Sequence, residues 1–227
     1  MLLRSEGDGV MCIGQASHAW VSGQLARAWD GLGALREEVC LAAEQHDVAW
    51  VDWDLRPDVN PETGLPYSFL EIPFDERLAL SDGAPSKLVT QSAYAALLVS
   101  LHGTRLHHGD PRATAYLAAQ EAAQERWLEK TGADRETALA HRDLLARWDG
   151  LSLALCLRWD PFEDRGLTLA RVADETFTLD PWPLTVPELE VRCEGRPLTG
   201  RYADAAALQD ALRAAPLETL RFTLRPA

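Results

Sequence analysis

Lysine is almost missing: Lys87 and Lys130 are the only two among 22 basic residues, and the rest are Arg. With so much Ala and Leu, this bias fits GC-rich bacterial coding and carries no mechanism. Positive charge as a whole is scarce, since 35 acidic residues leave a net charge of −13. Such a chain repels phosphate backbones at long range, which excludes a nucleic-acid binder working through a basic face. No run approaches the roughly 18 apolar residues that span a bilayer, so no membrane partner is expected. Met1–Glu6 lacks a basic segment followed by an apolar run, so no secretion signal is read. Cysteine is sparse, and Cys12, Cys40, Cys156 and Cys193 form no CxxC spacing. They are expected to be reduced, mostly buried thiols of a cytoplasmic protein. There is no Gly-rich phosphate loop, no GxSxG elbow and no Cys/His pair in a catalytic context.

What is present is a chain of 227 residues, 47% of them apolar, enough for a sizeable core. Met1–Glu6 and Val10–Gln15 are strand-like and joined by Gly7-Asp8-Gly9, a hairpin turn. Helical periodicity follows, with Ser17 as N-cap and His18, Val21, Leu25 and Trp29 on one stripe. A second helix from Leu35 carries Val39, Ala42 and His46. Pro57, Pro61, Gly64, Pro66 and Pro73 break residues 54–73 into a loop of the kind that often covers a site. Further helices are expected from Pro85 to His102, over 111–130, and from Asp134 to Leu157. Beyond Leu167 the pattern turns strand-like over Arg171–Leu179, Leu189–Cys193 and Leu220–Leu224, with a short helix over Asp204–Ala214. The expected fold is therefore mainly α. It comprises a hairpin plus helical domain over 1–167 and a small α+β appendage over 168–227, packed on the hairpin.

Four residues stand out for chemistry: His18 on the first helix, the adjacent pair His46-Asp47 closing the second, and Asp149 on the last. Two imidazoles and two carboxylates from neighbouring helices can converge on one divalent cation, a mixed donor set suited to Mn, Fe, Co, Ni or Zn. Adjacent residues on a helix project about 100° apart. His46 and Asp47 therefore share a site only if it lies between their directions. Against this stand plainer roles: His46 as a helix-end histidine beside a solvated Asp47, His18 as a core histidine bonded to backbone, Asp149 in a salt bridge to Arg.

The stretch Gln15–Trp50, QASHAWVSGQLARAWDGLGALREEVCLAAEQHDVAW, resembles the HD-domain superfamily of metal-dependent phosphohydrolases. There a helix bearing His precedes an apolar helix ending in HD, and a later helix supplies Asp, a place taken here by Trp148–Leu157. Most of the chain also resembles an uncharacterised bacterial family whose shared stretches appear here as His46–Trp53, Pro61–Pro73, Leu97–Gly103 and Trp148–Cys156. The HD resemblance implies a fold of the HD helical-bundle type. It also implies metal ligation by His18, His46, Asp47 and Asp149. Two departures are visible. Ala49 stands where the superfamily has Gly, and Trp50 where it often has Lys or His. His107 and His108 sit too close to His102 to copy the usual second-metal spacing, which argues against a second ion.

The resemblance implies hydrolysis of a small phosphoester or nucleotide-like substrate, with Asp47 as ligand and orienting base and His102 as a further catalytic residue. Trp50, Trp53, Tyr67, Phe69 and Glu71 are candidates for a substrate pocket. Arg56, Arg77 and Arg105 are candidates for holding phosphate, none singled out. His107, His108 and His141 are expected to be solvated or structural. Two other classes stay open: an HD-type non-haem iron oxygenase, which needs two irons, and a non-catalytic module binding a small ligand or partner through the 54–73 loop. A homo-oligomer is compatible with all three.

Overall fold

A chain reversal at Gly7, whose φ of +57° suits a residue without Cβ, pairs Leu2–Glu6 (β1) with Gly9–Ile13 (β2). The computed structural model describes residues Met1–Ala227. After the hairpin come seven helices: Gln15–Ala28 (α1), Arg36–Gln45 (α2), the short Val51–Leu55 (α3), Phe74–Leu88 (α4), Ala93–Leu106 (α5), Thr114–Thr131 (α6) and Arg135–Leu157 (α7). Strands Phe162–Asp164 (β3), Leu167–Ala173 (β4), Thr176–Asp180 (β5) and Leu189–Thr199 (β6) follow. Helix Ala205–Ala214 (α8) and strand Glu218–Pro226 (β7) close the chain.

The mainly α expectation is corrected by the sheet. Seven strands in the order β1-β2-β6-β7-β5-β4-β3 form one mixed sheet that curls into a half-barrel, a major layer of the molecule. Only β5 and β7 run parallel. The sheet's size was hidden because it draws on both ends of the chain, and because β6 continues through Gly195 and Pro197, residues that usually mark breaks. Along β6, Val191 and Cys193 point inward while Glu190, Arg192 and Glu194 face solvent, the period-2 pattern of a strand covered on one side.

The expected helix from Pro85 to His102 is two helices. Pro85 lies in the last turn of α4 instead of at a helix start. After a break at Val89–Gln91, the Ser92 hydroxyl accepts from the Ala95 N–H and caps α5. Ser17 does not cap α1: that position belongs to Gly14. Asp134 caps α7 through the Thr137 N–H.

α1 packs on α2, α7 and β6, and α5 packs on α2, α4, α6 and α7. One apolar core runs unbroken from Leu25, Val39 and Leu97 in the helices, through the fully buried Trp148, to Phe177 and Phe222 in the sheet. Burying each of these large side chains contributes about 1.5–3 kcal/mol. Beyond the end of α7, Arg158 ion-pairs with Glu175 and Glu6, and the Arg4 guanidinium donates to the Cys156 carbonyl, tying helix to sheet. No helix is long and apolar enough to cross a membrane.

Candidate metal centre

The four helices that interlock in the core carry the polar cluster. His18 lies in the first turn of α1, His102 near the end of α5 and Asp149 in the middle of α7. His46 is the C-cap of α2 and Asp47 follows it. His18, His46 and His102 are buried, and the carboxylates of Asp47 and Asp149 are nearly so.

Local structure sets which nitrogen each ring presents. The last carbonyls of a helix lack intrahelical partners, and the His46 Nδ1–H donates to one of them, Ala43 O, at 2.9 Å. The Ser152 hydroxyl donates to the Asp149 carbonyl at 2.8 Å, so its oxygen accepts the Nδ1–H of His18 at 2.9 Å. Ser22, one turn after His18, bonds Ser152 in turn. Both rings therefore aim Nε2 at the carboxylates. His18 Nε2 lies 2.8 Å from Asp47 Oδ2. His46 Nε2 lies 3.6 Å from the same oxygen and 3.4 Å from Asp149 Oδ1. His102 Nε2 lies 3.4 Å from the other oxygen of Asp149, Oδ2.

A neutral ring with its proton on Nδ1 has a lone pair on Nε2. Facing a carboxylate oxygen, that lone pair repels unless a cation lies between, either a proton or a metal ion. His46 Nε2 is buried without a hydrogen-bond partner, an unmet demand aimed into the cluster. Donors about 2.1 Å from one ion sit roughly 3–4 Å from each other; the His46 separations of 3.4 and 3.6 Å match that spacing, while the 2.8 Å between His18 and Asp47 is a direct hydrogen bond. Two groups of three could hold a metal ion, His18/His46/Asp47 and His46/His102/Asp149. They share His46, whose Nδ1 is committed to Ala43, so its one free nitrogen serves one ion. The bonds of His46 to Ala43 and of His18 to Ser152 are of the kind that orient histidines at metal sites.

Electrostatics agree. Burial opposes a charge on His46, yet Asp47 and Asp149 outweigh it and raise the imidazole to about 9. Burial likewise opposes charge on the two carboxylates. The imidazoles of His102 and His46 hold Asp149 well below the usual range, and His46 and His18 lower Asp47.

The cluster opens into a cavity of about 330 Å³. Trp50 and Phe69 line it; Trp53, Tyr67 and Glu71 do not. Tyr67 faces a separate hollow beside Arg201 and Tyr202, because an isolated bridge between Val59 and Pro66 turns the 54–73 segment back on itself. Glu71 is exposed and accepts from the Ser68 N–H. The segment reaches the cavity mouth through Phe69 and Leu70 alone. Of the three arginines, only Arg77 lines the cavity. His107, expected to be solvated or structural, is buried in the cavity wall, whereas His141 bonds the Tyr94 hydroxyl elsewhere. Ser152 falls on the flank of Asp149 expected from the sequence, and Ser22, four residues after His18, shares that residue's face; neither spacing by itself signals the bonds they make to the cluster.

No curated protein and no solved structure matches the chain. A family model described as "Protein of unknown function (DUF3891)" matches residues 1–200, and the chain belongs to that family.

Proposed function

We propose that the chain is a divalent-metal-dependent hydrolase acting on a small phosphoester or nucleotide-like molecule. The observation that carries this is the buried Nε2 of His46, which has no hydrogen-bond partner and lies between Asp47 and Asp149, with Nε2 of His18 beside it at 2.8 Å from Asp47. His18, His46, Asp47 and Asp149 hold the ion, and the donor set suits Mn, Fe, Co, Ni or Zn. Such an ion supplies Lewis-acid polarisation of a phosphoryl oxygen and activation of water near neutral pH. Asp47 doubles as the base that orients the attacking water. His102 steadies the second oxygen of Asp149 and stands within reach to pass a proton to the leaving group. Trp50 and Phe69 flank the substrate and exclude bulk water. The resemblance of Gln15–Trp50 to HD phosphohydrolases supports the same reaction class. The shared His46 favours one ion over the pair an HD-type oxygenase needs.

The test uses chelator-stripped protein reloaded with each of the five metals in turn. Metal content and release of nitrophenol from 4-nitrophenyl phosphate and bis(4-nitrophenyl) phosphate are then measured. Stoichiometric uptake with metal-dependent hydrolysis, both lost in His46→Ala, is the expected result. Failure to take up any of the five ions overturns the proposal.

A further inference from the structure

The cavity has a second polar wall that the ion site does not use. Phe74, opening α4, faces His107 with ring centroids 5.9 Å apart, while Ser81 lies against Gly103. The two helices are therefore antiparallel, and Arg77 sits one turn further than Ser81 from the level of His102. Four residues of helix are roughly 6 Å, and the guanidinium leans towards Phe74, 5.9 Å from the ring, away from the ion site.

Arg77 is the only Arg or Lys lining the cavity, and it has no ion pair. The acidic neighbour in the same wall, Asp110, is taken by Arg112 through contacts of 3.0 and 2.7 Å and held at about 2. In a chain of net charge −13, a half-buried guanidinium left without a carboxylate is conspicuous. Beside it, the Ser81 hydroxyl donates to the Arg77 carbonyl at 3.1 Å, so its oxygen accepts Nε2–H of His107 at 3.0 Å. That fixes His107 as a ring with Nδ1 as its acceptor, and burial plus the Arg77 charge keep it neutral. Leu106, Leu153 and Phe69 supply apolar surface in the same small cavity.

We propose that Arg77 is a substrate-binding residue for a terminal oxyanion, carboxylate or phosphate. The ligand is a small molecule with a compact apolar middle, whose other polar end faces His46 and Asp149. This rests on the metal-dependent function proposed above and narrows its substrates to compounds with a second anionic group.

Calorimetric titration of 4-phosphonobenzoate and phenylphosphonate into Mn-loaded wild type, Arg77→Met and Arg77→Lys tests it. A charge-assisted hydrogen bond is strong enough to make wild type prefer 4-phosphonobenzoate by about tenfold or more. The preference should vanish in Arg77→Met and be partly kept in Arg77→Lys, with phenylphosphonate binding unchanged. Equal affinities in wild type, or a preference that survives Arg77→Met, overturn the assignment. Titrating Mn into each protein separates this from the metal question. Normal uptake without Arg77 dependence sinks only the oxyanion site. If wild type takes up no Mn, benzoate titrated into the metal-free proteins decides: binding lost in Arg77→Met supports the site, and no binding overturns it.

Discussion

His18 donates its Nδ1–H to the hydroxyl of Ser152, 134 residues away in sequence and 2.9 Å away in space. The bond joins α1 to α7 and determines which nitrogen faces Asp47. A hydroxyl whose own proton is spent on the Asp149 carbonyl can only accept from the ring, so the tautomer of His18 is written into the packing of two helices. Ser22 reinforces the seam by bonding Ser152 at 2.9 Å.

Ser152→Ala is therefore expected to strand a buried donor. Stability should fall by about 1–3 kcal/mol, the cost of leaving such a group unmet. Metal affinity should fall by roughly 10–100-fold, the usual effect of losing an outer-shell partner. Denaturant unfolding and metal titration check the two. An unchanged metal affinity would show that Nδ1 orientation does not depend on Ser152.

pH should act in opposite directions on the metal-free and metal-bound protein. The His46 pKa is raised from 6.5 to about 9, so its contribution to metal-free stability is complete below about 6.5 and is lost as pH rises through 9. Asp47 and Asp149 are lowered, so their contribution is present above the ordinary carboxylate range and lost as pH falls. Metal must displace the His46 proton, so affinity should rise about tenfold per pH unit between roughly 7 and 9. Thermal melts from pH 6 to 9 should show the metal-free Tm falling while the metal-induced shift grows. A shift independent of pH would mean that His46 is not a ligand.

The cluster was legible because its signal is local. An adjacent His46-Asp47 pair at a helix end, and His18 and Asp149 on helices with clear apolar stripes, can be read without knowing the topology. The sheet was not, since β6 pairs with β2 on one side and β7 on the other, contacts between distant parts of the chain. Nor was the Arg77 wall, which exists only because α4 lies antiparallel to α5. The prolines at 73 and 85 concealed α4 altogether. Glu71 and Tyr67 looked like pocket residues because the 54–73 segment is loop-like, but the Val59–Pro66 bridge turns most of it away from the cavity.

Gly23 sets how closely α1 approaches α2. A Cβ there would lie 2.7 Å from the Glu44 Cβ and 3.0 Å from its Cα, backbone that cannot yield. Gly23→Ala should cost roughly 1–3 kcal/mol through overpacking, despite the helix-propensity gain of about 0.5–1 kcal/mol. It should also weaken metal binding, because it pushes His18 and His46 apart. Gly83→Ala, in a helix with open space around the new methyl, is the control and should be neutral or stabilising. Equal stabilities for the two variants would refute the close-packing account.

Asp47→Ala bears most directly on the ion site. Asp47 and Asp149 converge on the same imidazole, His46, and a divalent cation relieves their repulsion while binding only the folded chain. At 100 times the dissociation constant, metal should stabilise wild type by about 2.7 kcal/mol, a readily measured rise in Tm. The variant should bind none, and its Tm should not move when metal is added. Its metal-free stability reflects two opposing changes. Loss of one carboxylate relieves repulsion with Asp149, but it also leaves the buried His18 Nε2 without its partner at 2.8 Å. Asp47→Asn separates these, keeping a polar partner for His18 while removing the charge, and should also lose metal. A solvated, non-ligating Asp47 predicts a different pattern: a stability change under about 0.5 kcal/mol in either variant and metal shifts equal to wild type. Melts of both variants with Mn, Fe, Co, Ni and Zn added singly to chelator-stripped protein distinguish the two patterns.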